Sequence, residues 1–148
     1  MIIVEYVGTS DLPGSIIKWG TMSDIDHVQF VLPDGRRVGA MPGAGVTFGS
    51  APPASATVRR YAVKAPSKVY DLALAQVGKP YDWGGVIDIA FRRVKSRRDW
   101  RDPSKWFCSE LVAWCFEQAG VPILNTNNYA VIAPRDDELS PLMIPWKC

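Results

Sequence analysis

Ser104-Lys-Trp-Phe-Cys-Ser-Glu-Leu-Val-Ala-Trp-Cys-Phe-Glu-Gln-Ala-Gly120 is the stretch on which the reading of this chain turns. From Cys108 onward, Leu111, Val112, Cys115, Phe116 and Ala119 recur at three- and four-residue spacing, which predicts a helix with one buried stripe. Gly120 is placed to stop it, with Pro122 just beyond. Ser109 and Glu110 suit a first helical turn. Cys108 therefore falls at or near a helix N-terminus, where unpaired N–H groups and the dipole favour a thiolate. The position also suits a small buried hydrophobe, which is how free cysteines commonly serve.

The segments on either side extend the pattern. Upstream stands Gly78-Lys-Pro-Tyr-Asp-Trp-Gly-Gly85, and downstream Ala119-Gly-Val-Pro122. Together with Cys108-Ser109 opening a helix, these motifs resemble the NlpC-type papain-like cell-wall peptidases over roughly residues 70–123. In those enzymes the histidine follows the cysteine, whereas the only histidine here is His27. That order resembles the circularly permuted branch of the superfamily, which includes the YiiX/YebB-like proteins and the lecithin retinol acyltransferase group. Asp26-His27-Val28-Gln29-Phe30-Val31-Leu32-Pro33-Asp34-Gly35 is similar to that branch's histidine strand and turn, and Cys108-Ser-Glu-Leu-Val112 to its cysteine helix.

The resemblance implies a permuted papain-like α+β fold: a small, mostly antiparallel sheet with helices packed on it. It implies a thiol hydrolase, a cysteine peptidase or amidase, acting on cell-wall peptide or another small amide. Cys108 is the expected nucleophile and His27 its base. Tyr81 is expected beside the nucleophile, for substrate or oxyanion, with the Ser109 backbone N–H as a further oxyanion donor. Tyr81 equally suits a structural place in a glycine-rich turn. The branch's third polar residue would fall at Gly39 or Ala40, which have no group to orient an imidazole. Gln29, two residues beyond His27 on one strand face, is the candidate orienter. Phe107 stands where the peptidases commonly carry an aspartate for a substrate amine, so that specificity does not transfer. An acyltransferase or thioesterase on lipid-like acyl groups, and a binding module with a decayed site, are the alternatives.

Composition bounds these readings. At 148 residues the chain is read as one domain, 1–148, large enough to bury a core without metals or disulfides. A formal net charge of +2 does not by itself imply a nucleic-acid or membrane partner. Three cysteines cannot all pair internally, and they are too sparse for a disulfide scaffold. No cofactor is expected: a zinc site from His27, Cys108 and Cys115 lacks a fourth ligand. No stretch approaches the ~20 apolar residues of a membrane span, and no signal-peptide pattern opens the chain. The expected setting is cytoplasmic, or the wall reached by lysis or with a phage particle.

The remaining elements follow from local pattern. Strands are expected at 2–7, at 27–32 with a Pro33–Arg36 turn into a hairpin partner at 37–41, and at 57–63. Pro42 to Pro53 reads as a loop. Ser67 is the expected N-cap of a helix from Lys68 to Val77 with Val69, Leu72, Ala73, Gln76 and Val77 inward. Val86 to Val94 has helical spacing. Residues 92–105 carry seven basic residues beside Trp100 and Trp106, which reads as a solvated loop, or as a grip on single-stranded nucleic acid. Val131–Ala133 reads as a short strand, Asp136-Asp137-Glu138 as a solvated acidic turn, and Met143–Trp146 as a pin holding the tail to the core.

Overall fold

The computed structural model describes residues 1–9, 24–84, 104–124 and 132–147. Its centre is β1 (Ile2–Gly8), an apolar strand that pairs on both edges. On one side lies β2 (His27–Val31), in register Glu5↔Gln29 and Val7↔His27; on the other lies β5 (Thr57–Val63), with Glu5↔Arg60. β3 (Arg37–Met41) returns from β2 through the Pro33–Arg36 turn, where Leu32 N–H donates to Arg36 O at 2.8 Å and Gly35 takes φ +85°. β4 (Gly45–Gly49) pairs with β3, and the two-residue β6 (Ile144–Pro145) pairs with β5. The described residues thus form one six-stranded antiparallel sheet in the order β4-β3-β2-β1-β5-β6.

Helices cover one face. They are α1 (Lys68–Leu74), α2 (Cys108–Gln118) and the short α3 (Pro134–Glu138). Alternation sends Ile2, Val4, Tyr6, Val28 and Phe30 under them, and all five are buried. Leu111, Val112, Cys115 and Phe116 of α2 meet that layer at 0% exposure, with the Phe116 ring 5.9 Å from Phe30. The α2 stripe is the one its spacing predicts. Gly120 ends it at φ +82°, and Val121 N–H closes back on Phe116 O.

Several local expectations are corrected. Residues 45–49 are a strand, not part of a loop. Glycine masks it for two reasons. Gly43 and Gly45 turn at φ +78° and +73°, and at Gly45 a Cβ would lie 2.2 Å from Lys79 O. Val46 N–H donates to Lys79 O and Gly78 N–H to Val46 O, both at 2.8 Å, so β4 locks onto the 78–79 turn. α1 ends at Leu74, three residues early; Val77 is exposed, and the chain leaves through Gly78 at φ +94°. Ser67 makes no side-chain cap; its carbonyl accepts Tyr70 N–H at 2.8 Å. Asp136-Asp137-Glu138 belongs to α3, with Asp137 fully buried. Ile132 and Ala133 are buried but form no strand, and Val131 lies outside the described residues. So do the helical spacing at 86–94 and all but the last residues of the basic run. Met143 is buried and Trp146 N–H donates to Arg60 O at 2.8 Å, so the tail is pinned as expected.

Candidate functional site

α2 begins at Cys108 because Phe107 is extended (φ −89°, ψ 156°) and Glu110 Oε2 accepts the Phe107 N–H at 3.3 Å. The side chain of Phe107 offers no polar atom, so Glu110 supplies this polar part of the cap. Ser109, at 0% exposure, donates its hydroxyl to Ile132 O and ties the 132–133 segment to the first turn of the helix. These contacts place the Cys108 sulfur at the sheet. It is 1% exposed and receives the backbone N–H groups of Val28 and Ser109.

The Val28 contact brings two distant segments together. The β2–β3 ladder pairs only Phe30↔Val38 and Val31↔Arg37. Towards His27 the ladder stops, and the Val28 N–H serves the sulfur. The thiol therefore lies against the peptide joining His27 to Val28. His27 is half-buried and its Nε2 is shielded from solvent. Just before it, buried Asp26 accepts Thr9 N–H at 2.8 Å and Thr9 O–H at 3.0 Å, while its own N–H donates to Val7 O.

Burial pushes the Cys108 thiol up to about 12, against the lowering effect of the two N–H groups. This corrects the expectation of a helix-stabilised thiolate: a helix N-terminus lowers a thiol's pKa only where desolvation does not exceed it. Burial raises the Cys115 thiol as well, with no opposing donor.

Tyr81 stands close enough to Cys108 for the two to interact electrostatically. A bridge to Trp106 holds its backbone, with Asp82 N–H on Trp106 O and Trp106 N–H on Pro80 O. Its ring meets Phe107 edge-on at 5.9 Å and Trp83 at 5.1 Å. Burial first, then Cys108 and Glu110, raise its hydroxyl well above the usual phenol range, so it stays a donor. Trp106 is fully buried and donates Nε1–H to Gln76 Oε1 at 3.1 Å, which removes it from any nucleic-acid grip. Gln29 turns its amide nitrogen to Glu5 Oε1 at 3.0 Å rather than to His27. A Cβ at Gly39 would lie 3.0 Å from the Gln29 Cβ, a tight contact.

Sequence reasoning missed Asp137. It is fully buried, and neither carboxyl oxygen has a hydrogen-bond partner. It lies near enough to Cys108 and Tyr6 to raise both pKa values. Its own pKa is raised well above the carboxylate range, first by burial and then by Asp136. Burial of the two groups side by side disfavours charge on both. The Asp-Asp-Glu run gave no sign of it, because only the pitch of a five-residue helix selects which acid turns inward.

The fold and site define an α+β protein whose antiparallel sheet meets a helix that opens on a cysteine. Among solved structures, the chain is similar to the metalloprotein YiiX (DUF1105) of Escherichia coli O157:H7. The TM-score is 0.69 at 14% identity, over 99% of this chain and 95% of that one. No family model matches the chain, and no curated protein matches it by sequence. Among the described residues no three His, Cys, Asp or Glu side chains converge as metal ligands. Among them, too, no helix is long and apolar enough to cross a membrane.

Proposed function

We propose that the chain is a thiol hydrolase of the permuted papain-like type, a cysteine peptidase or amidase acting on a small peptide or amide, with muropeptides the leading class. The observation that carries this is the seating of the Cys108 sulfur against the His27–Val28 peptide. Two segments 81 residues apart converge there, one with the chain's only imidazole and the other with a thiol at a helix start. The likeness in fold to YiiX supports the permuted reading.

In this mechanism His27 takes the Cys108 proton as the sulfur attacks the substrate carbonyl. A thiol whose pKa burial raises makes that proton transfer part of the attack. The Tyr81 hydroxyl and the Ser109 N–H stabilise the oxyanion. Collapse breaks the C–N bond, and the amine leaves with the proton from His27. Water, deprotonated by His27, then attacks the thioester, releasing the carboxylic acid and restoring the thiol.

The test is acylation with p-nitrophenyl acetate followed by peptide mapping. Wild type is expected to carry an acetyl group on Cys108 and release it to water. Cys108→Ser should abolish the label, and His27→Ala should slow it by roughly 10²–10⁴-fold. A Cys108 that is acylated only after unfolding would overturn the enzyme reading and leave a binding module. Faster release to an added alcohol than to water would turn the reading to acyl transfer.

A further inference from the structure

Cys108 is 1% exposed, so a reactant reaches its sulfur when a neighbouring segment moves. The Val28 and Ser109 N–H groups beside it belong to an interior strand of the sheet and to α2 itself. Tyr81 is tied through its bridge to fully buried Trp106. Asp137 comes from α3, which packs on α2 and continues into the C-terminal residues. Of these neighbours, Asp137 is the one whose segment can leave with no greater loss to the sheet than the two residues of β6.

Apolar burial contributes little to holding residues 132–146 in place. Ile132 and Met143 are buried, whereas Leu139, Leu142, Ile144 and Trp146 are exposed. Met143 Sδ accepts Tyr6 O–H at 3.9 Å, and a thioether is a weak acceptor. At β5 the segment pairs through Ile144 and Pro145, and Pro145 has no N–H to give. Trp146 N–H adds its bond to Arg60 O. Glu138 accepts Tyr61 O–H at 2.9 Å and an Arg59 N–H at 3.1 Å, the latter from a half-exposed guanidinium that water screens. Against these ties stands Asp137, whose buried carboxyl oxygens have no hydrogen-bond partner and regain water when the segment lifts. Few buried apolar contacts around an unsatisfied buried group are the marks of a unit that opens ahead of the core.

We propose that residues 132–146 form a strap that lifts from β5 and α2 as a unit and so opens the way to Cys108. Glu138 and the pairing with β5 hold the strap shut. The buried, unpartnered carboxyl of Asp137 keeps it close to opening. That the strap gates a substrate rests on the hydrolase reading; that it lifts does not.

Hydrogen exchange of the full chain at neutral pH, followed by NMR, tests the lifting. The Leu139, Ser140 and Trp146 amides are expected to exchange together, at least tenfold faster than those of Val112 and Phe116 in α2. Glu138→Ala, which removes the acceptor for Tyr61 and Arg59, should speed all three at least tenfold. Asp137→Asn, whose side chain cannot ionise, should slow them. Iodoacetamide labelling with mass spectrometry then connects the strap to the thiol. In folded Glu138→Ala, labelling of Cys108 should rise by about the same factor as strap exchange, while Cys115 on the same helix stays unlabelled. Four results would each overturn the proposal: strap amides no faster than α2, exchange not slowed by Asp137→Asn, an unchanged Cys108 rate in Glu138→Ala despite faster exchange, or Cys115 labelling in step with Cys108. If the rates are as expected and p-nitrophenyl acetate leaves no acetyl group on Cys108, the hydrolase reading falls and the strap stands.

Discussion

Burial raises the pKa of both Asp137 and Cys108, and pH separates their effects. An unfolded aspartate ionises near its ordinary 3.8, while folded Asp137 holds its proton higher. Above about 3.8 the folded state binds the extra proton, so stability falls as pH rises toward the folded pKa. Asp137→Asn removes that loss. Urea unfolding should show the variant stabilised at neutral pH by on the order of 1–3 kcal/mol, and far less in mild acid. A variant destabilised at both pH values would mean that Asp137 is ionised and paired. For Cys108, a thiol pushed up to about 12 should alkylate slowly at neutral pH and accelerate steadily into the alkaline range. Iodoacetamide labelling followed by mass spectrometry checks this, with the fully buried Cys115 as the unlabelled control. Labelling already fast at about pH 6 would instead indicate an imidazolium–thiolate pair.

At the scale of elements, β4 shows where pattern and structure part. Its pairing partner is local and its side chains are ordinary, yet glycine and proline around Val46-Thr47-Phe48 hide it. Those glycines answer to backbone approach, which periodicity does not record. Gly45→Ala would put a Cβ 2.2 Å from Lys79 O at φ +73°, whereas Gly43→Ala, at φ +78°, meets nothing within 4 Å. The first should cost more than about 2 kcal/mol and the second about 1 kcal/mol, read as urea midpoints. Equal costs would show that the β4 contact with the 78–79 turn carries no weight. By contrast, β1, β2, β3, β5 and α2 were legible, because each buries one face and writes it at period 2 or 3.6. Cys108, His27 and Tyr81 were legible as motif residues. Asp26 and Asp137 were not, because their burial depends on which segments cross above them. The thiol's raised pKa was hidden for the same reason: a helix start shows in sequence, but the depth at which it is seated does not.

At the scale of the molecule, one sheet separates two chemistries. The helix-covered face holds the thiol, and the other is cross-linked at its centre by a single carboxylate. Through Glu5 on β1, hydrogen bonds reach Gln29 on β2, Arg37 on β3 and Arg60 on β5. Four neighbouring strands thus share one charge. Burial opposes ionisation of Glu5, but the two guanidiniums and the Gln29 amide outweigh it and hold its carboxyl below the ordinary 4.5. The stability from this cluster is therefore present above pH 4.5 and is lost as pH falls through the folded pKa. Glu5→Gln should cost about 3 kcal/mol at neutral pH, because it removes the buried carboxylate to which both guanidiniums donate. The difference from wild type should shrink in acid, where wild-type Glu5 is protonated too. The exposed Arg36–Asp34 pair supplies the contrast: Asp34→Asn should leave the urea midpoint unchanged, since water screens that pair. A Glu5→Gln effect as small as that of Asp34→Asn would mean that the strands are held by their ladders alone.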